Sequence, residues 1–180
     1  MSEFKKTVCG DGSEEHTNKG KDKLENPTIK NKPVIKVNEI FGPTIQGEGA
    51  SAGRPVMFLR TSFCNLRCVW CDTPYTWNWK GTDYEHPDKF DPKKEVHDMT
   101  ADEIVQQIQL NGKDIKALVI SGGEPMLQQS KLIDVLRPLK QDGYWVEIET
   151  NGTIAPTQEF SDLIDQINCS PKLASSGADN

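Results

Sequence analysis

Between residues 55 and 170, short apolar runs alternate with segments of helical periodicity, in the order strand, helix, strand, helix, strand. Strands are expected at 55–60, 117–121, 145–149 and 167–170 after a leading strand at 34–41, and helices at about 100–112, 128–140 and 160–164. This alternation is typical of parallel βα units, so the chain is predicted to fold as an α/β protein. Because ligands of such sheets bind at the C-terminal ends of the strands, we expect the functional residues there.

Two of the predicted helices carry distinct boundary signals. Thr100 and Glu103 have the spacing of a capping box, in which each residue bonds the backbone of the other. Gly112 is expected to end that helix. In the following helix, Pro138 is expected to kink or shorten the last turn, because proline has no backbone N–H to donate.

The chain has 180 residues and a net charge of −6, which disfavours a nucleic-acid-binding module because such modules need a basic face. Residues 1–32 hold few apolar side chains and are predicted to be a disordered polar tail before a domain at 33–180. Residues 80–99 are predicted to be a solvated surface loop. No signal-peptide pattern and no apolar run of about 18 residues is present, so we expect a cytoplasmic protein without membrane contact. In that compartment, the five cysteines indicate metal binding or catalysis rather than disulfides.

Three cysteines, Cys64, Cys68 and Cys71, form a CxxxCxxC motif directly after the strand predicted at 55–60. Zinc sites usually need four ligands, and Cys169 is a poor fourth one because it lies far along the chain, where a small buried side chain is expected. The histidines of the polar loop match no common zinc spacing. A four-iron cluster held by three thiolates keeps one iron open for a substrate or cofactor. Zinc and iron–sulfur binding both remain alternatives on these grounds.

The CxxxCxxC motif resembles the cluster-binding loop of the radical S-adenosylmethionine superfamily. After the next predicted strand, Gly122-Gly123-Glu124-Pro125 resembles the GGEP motif of the same superfamily. Within that superfamily, the chain resembles the 7-carboxy-7-deazaguanine synthase family over about residues 34–172. The segments that carry this narrower resemblance are 39–49, 58–60, 71–73, 149–153 and 170–172.

The resemblance implies a radical-SAM-type partial (β/α) barrel with a [4Fe-4S] cluster, S-adenosylmethionine and Mg²⁺ as cofactors. The implied reaction is a carbon–nitrogen lyase step of queuosine biosynthesis. A 5′-deoxyadenosyl radical removes hydrogen from 6-carboxytetrahydropterin, the ring contracts, and ammonia leaves. The implied partners are this small-molecule substrate, an electron donor such as flavodoxin, and a second copy in a homodimer. The chain shows fewer strands than such a barrel, so we expect the barrel to be shortened at its C-terminus by truncation.

Individual residue roles follow from the resemblance alone. It assigns Cys64, Cys68 and Cys71 to the cluster and Thr73 to Mg²⁺. The implied cofactor-binding residues are Trp70, Cys71, Asp72, Gly123, Ser170, Pro171 and Lys172. The implied substrate-binding residues are Ile45, Gln46, Gly47, Arg60 and Ser121, and Arg60 is expected to pair with the substrate carboxylate. No side chain is assigned as a catalytic acid, base or nucleophile. A glycyl-radical-activating enzyme and a non-catalytic zinc or iron–sulfur module are the alternatives.

Overall fold

One mixed β-sheet organises the protein, in a computed structural model that describes residues 32–84 and 86–178. The strands and helices are β1 (Val34–Ile45), β2 (Pro55–Thr61), α1 (Pro92–Glu95), β3 (His97–Thr100), α2 (Ala101–Gly112), β4 (Ala117–Gly122), α3 (Gln129–Gln141), β5 (Trp145–Thr150), α4 (Gln158–Ser161) and β6 (Gln166–Cys169). Single 3-10 turns occur at Pro74–Thr76, Pro125–Gln128 and Ala174–Ser176. The tail predicted over 1–32 lies outside the described residues, apart from Lys32. None of the helices in the described part is long and apolar enough to cross a bilayer.

The strand order in the sheet is β3-β1-β2-β4-β5-β6. The four strands β2, β4, β5 and β6 run parallel to one another, as the strand–helix alternation predicts. By contrast, β1 pairs antiparallel with both β2 and β3. The α/β prediction is therefore confirmed, with an antiparallel pair added at one side of the parallel strands.

The helices cover one face of this sheet. Side chains alternate between faces along a strand, so Leu59, Ile120 and Ile148 share the helix-covered face, where they pack with Ile108 and Leu136. All five are at most 1% exposed. Burial of this kind contributes about 25 cal/mol for each Å² of apolar surface, which makes this layer the main source of stability.

The opposite face is only partly apolar. A smaller cluster of Val56, Phe58, Ala117 and Val119 lies there. Towards the C-terminal ends of the same strands, the positions on this face become polar. The open side of the sheet therefore has an apolar floor at one end and a polar region at the other.

The boundary signals predicted for α2 are confirmed, whereas the proline in α3 does not end that helix. The capping box is confirmed: Glu103 N donates to Thr100 Oγ1 (3.4 Å), Thr100 N donates to Glu103 Oε2 (2.7 Å), and α2 ends at Gly112. Pro138 does not shorten α3, which continues to Gln141. The bond that proline cannot make would have involved the carbonyl of Asp134, a residue on the exposed side of the helix where water can replace it.

Strand β1 is longer than predicted. The glycine and proline at 42–43 suggest that the strand ends at residue 41, whereas β1 continues to Ile45. The register with β2 shifts between Phe41 and Thr44, and Gly42 adopts a φ of 125°. A β-bulge of this kind accommodates a proline that cannot donate to the neighbouring strand. The extension brings the following loop to the open face of the sheet.

The surface loop predicted at 80–99 is partly wrong, because α1 and β3 lie within it. The Asp91 side chain accepts a hydrogen bond from Lys93 N (3.0 Å) and caps α1, which begins at Pro92. Strand β3 pairs with the start of β1 at the edge of the sheet. Its residues are half-buried or exposed, so no apolar alternation marks it in the sequence.

Candidate active site

A cavity of about 960 Å³ opens on the helix-free face, at the C-terminal ends of the parallel strands. Its walls come from the loop after β1, the end of the cysteine loop, and the ends of β4, β5 and β6. All five predicted substrate positions line it: Ile45, Gln46, Gly47, Arg60 and Ser121. So do Trp70, Asp72, Thr73, Gly123, Ser170 and Lys172. The fold thus brings together residues separated by more than a hundred positions. Pro171 and the three motif cysteines are not part of the cavity wall.

The cysteine loop begins with a sharp turn after β2. Phe63 adopts a φ of 76°, in the left-handed region that bulky residues rarely occupy, and this redirects the chain into Cys64. Cys68 is buried, whereas Cys64 and Cys71 are half-buried. Burial raises the pKa of the Cys64 thiol to about 11, against the effect of a hydrogen bond from Leu66 N. Negative charges on Glu124, Cys71 and Cys68 contribute to the same rise in the pKa of Cys64, so the three sulfurs are electrostatic neighbours.

The GGEP segment packs directly against this loop. Gly123 N donates to Thr61 O (3.1 Å), and Glu124 N donates to Phe63 O (2.8 Å). A Cβ added to Gly123 would lie 2.3 Å from the Phe63 carbonyl oxygen and 2.9 Å from the Cβ of Cys64. Only glycine permits this approach. The close contact places the cysteine loop beside the C-terminal end of β4, next to the cavity.

The three thiols fit an iron–sulfur cluster better than a single metal ion. Within the described residues, no three His, Cys, Asp or Glu side chains are grouped closely enough to hold one ion. A four-iron cluster keeps its thiolates farther apart than one ion does and needs soft sulfur ligands. Cys64, Cys68 and Cys71 supply such ligands on a loop whose entry is held by backbone hydrogen bonds.

Glu124 is a buried carboxylate that joins two strand ends. It has no exposed surface, and it accepts hydrogen bonds from Met126 N (3.0 Å), Thr150 Oγ1 (2.7 Å) and Asn151 N (2.7 Å). These three donors satisfy an anion that would otherwise be costly to bury. The sequence predicts a role for Gly123 but none for Glu124, although the GGEP motif contains it.

A second buried carboxylate lies beneath the loop after β1. Glu147 is fully buried and accepts hydrogen bonds from Gln46 Nε2 (2.6 Å) and from the side chains of Ser51 and Asn168. Gln46 also donates to Glu149 (3.0 Å), so its amide N–H groups are engaged within the protein. The motifs in the sequence do not predict this group of side chains around Glu147. The alternation of Glu with apolar residues in β5 was the available signal, because it predicts one polar face on that strand.

Arg60 lies in the cavity wall with part of its guanidinium engaged. Its Nε donates to Glu39 Oε1 (2.9 Å), and its guanidinium carbon lies 5.5 Å from the centre of the Phe41 ring. The side chain is 17% exposed. Within the described part of the chain, its two terminal amino groups form no hydrogen bond, so they remain available to an anion in the cavity.

The segment after β6 approaches the end of the cysteine loop. Lys172 Nζ lies 5.5 Å from the centre of the Trp70 ring and 2.9 Å from Ser170 Oγ. Val69 N donates to Ser176 O (2.9 Å). Two predicted cofactor segments that are distant in sequence therefore meet at one side of the cavity.

The prediction that Cys169 is a buried side chain is wrong. Cys169 is exposed and lines the cavity. It ends β6, which is the outermost strand on its side of the described sheet, so no further strand covers it.

The fold and the cysteine loop define a class of iron–sulfur enzymes. The sequence profile of the radical SAM superfamily matches residues 58–172, and the chain belongs to this superfamily. Its members use a [4Fe-4S] cluster and S-adenosylmethionine, which decides against the non-catalytic zinc module. The radical-SAM-type fold prediction is confirmed.

Several proteins with similar sequences share the name 7-carboxy-7-deazaguanine synthase. The 7-carboxy-7-deazaguanine synthase of Bacillus subtilis is 38% identical over 143 residues, which cover 79% of this chain and 53% of that protein. The enzyme of the same name from Aquifex aeolicus is 35% identical, covering 83% of this chain and 60% of its own length. The crystal structure of QueE from Escherichia coli superposes with a TM-score of 0.59 at 28% identity, covering 78% of this chain and 60% of that one. The chain spans little more than half the length of these relatives.

Proposed function

We propose that this chain carries the reaction site of a 7-carboxy-7-deazaguanine synthase, which converts 6-carboxytetrahydropterin to 7-carboxy-7-deazaguanine with loss of ammonia. The observation that carries the proposal is the single cavity shared by two sets of residues. One set, which includes Trp70, Gly123 and Lys172, matches the cofactor positions that the resemblance implies. The other, which includes Gly47 and Arg60, matches substrate positions of the narrower family. The relatives with this enzyme's name support the same assignment.

On the cofactor side, Cys64, Cys68 and Cys71 would hold the cluster. Bound together, the reduced cluster and S-adenosylmethionine supply a carbon radical that removes hydrogen from the substrate. The backbone of Gly123 lies beside the cysteine loop and would bind the amino group of the cofactor. Trp70, Asp72, Ser170, Pro171 and Lys172 would contact the remainder of the cofactor. The Trp70–Lys172 contact brings these segments together on one wall.

On the substrate side, Arg60 is the main source of binding energy for a carboxylate. Arg60 lines the cavity, and its two amino groups, which form no hydrogen bond within the described residues, can form a bidentate pair with the planar geometry that a carboxylate needs. Ile45, Gly47 and Ser121 contribute backbone and side-chain contacts around the same space. Gln46 Oε1 already accepts a hydrogen bond from Glu48 N (3.1 Å). One lone pair of this oxygen therefore remains to accept a hydrogen bond from the pterin edge.

The direct test is anaerobic incubation of the reduced, cluster-loaded protein with S-adenosylmethionine and 6-carboxytetrahydropterin. Mass spectrometry is expected to detect 7-carboxy-7-deazaguanine, with S-adenosylmethionine recovered rather than consumed. Arg60→Gln removes the cation and is expected to weaken substrate binding by tenfold to a hundredfold, from about 1.5–3 kcal/mol for a charged hydrogen bond. Titration calorimetry with the pterin measures this loss. Equal affinity of Arg60→Gln and the unchanged protein for the pterin would contradict the assignment of Arg60.

We propose further that Thr73 ligates Mg²⁺ through its hydroxyl. The Thr73 side chain makes no helix-capping bond, and its Oγ1 lies 3.7 Å from Cys71 Sγ. Within the described residues this oxygen has no other hydrogen-bond partner, so it is available in the cavity wall. Mg²⁺ uses few protein ligands and keeps several waters and substrate oxygens.

Thr73→Val keeps the side-chain shape and is expected to raise the Mg²⁺ concentration needed for half-maximal turnover, with iron content unchanged. Thr73→Ser restores the oxygen and is the matched control. Turnover that responds to Mg²⁺ identically in both variants would exclude Thr73 as a ligand.

We propose further that the reaction takes place in the cytoplasm, that a one-electron donor such as flavodoxin reduces the protein, and that two copies of the chain form a homodimer. The resemblance to the synthase family is what supports these three proposals.

A further inference from the structure

The indole of Trp77 donates a hydrogen bond to the sulfur of a motif cysteine. Its Nε1 lies 3.3 Å from Cys71 Sγ, within the range for a sulfur acceptor. Trp77 is only 5% exposed, so water competes little for this N–H group. Trp77 has no role in the sequence-based predictions or in the proposed function.

The orientation of this indole is determined by several contacts. Trp77 N donates to Pro74 O (3.1 Å) at the end of the 3-10 turn. The ring packs against Tyr84 (5.6 Å between ring centres) and edge-on against His86 (5.9 Å). Arg67, from the cysteine loop itself, lies 3.8 Å from the centre of the Tyr84 ring. The segment that follows the cysteines thus folds back over the loop and holds the N–H against the sulfur.

We propose that Trp77 sets the reduction potential of the cluster through its hydrogen bond to Cys71. Hydrogen bonds to ligand sulfurs are among the main factors that set the potential of iron–sulfur clusters. The donor withdraws negative charge from the thiolate, which favours the form of the cluster that has taken up one electron. Trp77 is therefore a positioning residue that acts through Cys71. This inference goes beyond the substrate assignment and depends on Cys71 being a cluster ligand.

Trp77→Phe keeps an aromatic ring in the pocket and removes the N–H group. In an anaerobic potentiometric titration, with the one-electron reduced cluster followed by electron paramagnetic resonance, its midpoint potential is expected to be more negative. Loss of one charge-assisted hydrogen bond corresponds to about a tenfold smaller equilibrium constant for reduction, or about 59 mV for one electron. Iron content is expected to stay unchanged.

Trp79→Phe is the matched control. Trp79 lies two residues away and also donates its Nε1–H, but to the carbonyl oxygen of Tyr75 (3.0 Å) rather than to a sulfur. The midpoint potential of the cluster in Trp79→Phe is expected to equal that of the unchanged protein. Equal potentials in Trp77→Phe and the unchanged protein, or equal shifts in both variants, would overturn the proposal.

A measurement on the unchanged protein covers the case in which Trp77→Phe fails to retain iron. Protein that carries ¹⁵N only at the indole nitrogens of tryptophan is expected to show a weak coupling to the reduced cluster in pulsed electron paramagnetic resonance. The coupling is expected to persist in Trp70→Phe, which removes the indole next to Cys71 in the sequence. The absence of that coupling would also overturn the proposal. Neither experiment requires the pterin, so their outcome is independent of the proposed substrate.

Discussion

Cys64→Ala, Cys68→Ala and Cys71→Ala are each expected to yield protein that retains little or no iron–sulfur cluster. The unchanged protein, purified anaerobically, is expected to contain about four iron and four sulfide per chain. A cluster with only three protein ligands has no spare thiolate, so losing any one of them leaves a second iron without a protein ligand. The measurement is iron and sulfide content together with the brown absorbance of the cluster.

Cys169→Ala is the matched control for these variants. Cys169 is exposed on the cavity wall at the end of β6, outside the CxxxCxxC motif. Its replacement is expected to leave iron and sulfide unchanged. Iron loss in Cys169→Ala, or about one zinc per chain in the unchanged protein, would show that the ligand assignment is wrong.

Glu124→Ala is expected to lower the free energy of unfolding by about 3 kcal/mol or more. The change leaves the donors on Met126, Thr150 and Asn151 buried without their acceptor, and each such group costs about 1–3 kcal/mol. Urea unfolding under anaerobic conditions measures the difference. Glu124→Gln keeps the volume and one acceptor oxygen, so its loss of stability is expected to be smaller.

Glu159→Ala provides the comparison for a carboxylate at the surface. Glu159 pairs with Arg137, and both side chains are more than half exposed. Such pairs contribute about 0–1 kcal/mol, so this variant is expected to unfold almost like the unchanged protein. Similar losses in Glu124→Ala and Glu159→Ala would show that the bonds of Glu124 contribute little to stability.

The elements that depend on local patterns could be predicted from the sequence. The ends of α2 follow from side chains that bond the neighbouring backbone, and β4 follows from a short apolar run buried on both faces. The last part of β1, residues 42–45, and the whole of β3 could not be predicted from local patterns. In β1 a bulge absorbs a glycine and a proline, and β3 is an edge strand defined by its partner rather than by its own composition.

The candidate site also has a part that the sequence predicts and a part that only the fold shows. The motif spacing predicts which loops meet, because the ends of parallel strands lie at one edge. It does not predict which side chains support those loops. Glu147 lies in a strand where glutamate is uncommon, and only the fold shows Gln46, Ser51 and Asn168 around it. Likewise, the exposure of Cys169 depends on the absence of a neighbouring strand in the described sheet.

The hydrogen bonds at the two ends of the cysteine loop bear on how its shape is maintained. Glu124 N donates to Phe63 O at one end, and Val69 N donates to Ser176 O at the other. Neither bond involves a cysteine side chain, so backbone contacts alone restrict the conformational entropy of the loop. A group that binds to these thiols then loses less free energy to ordering the loop, which is the general effect of preorganisation on affinity.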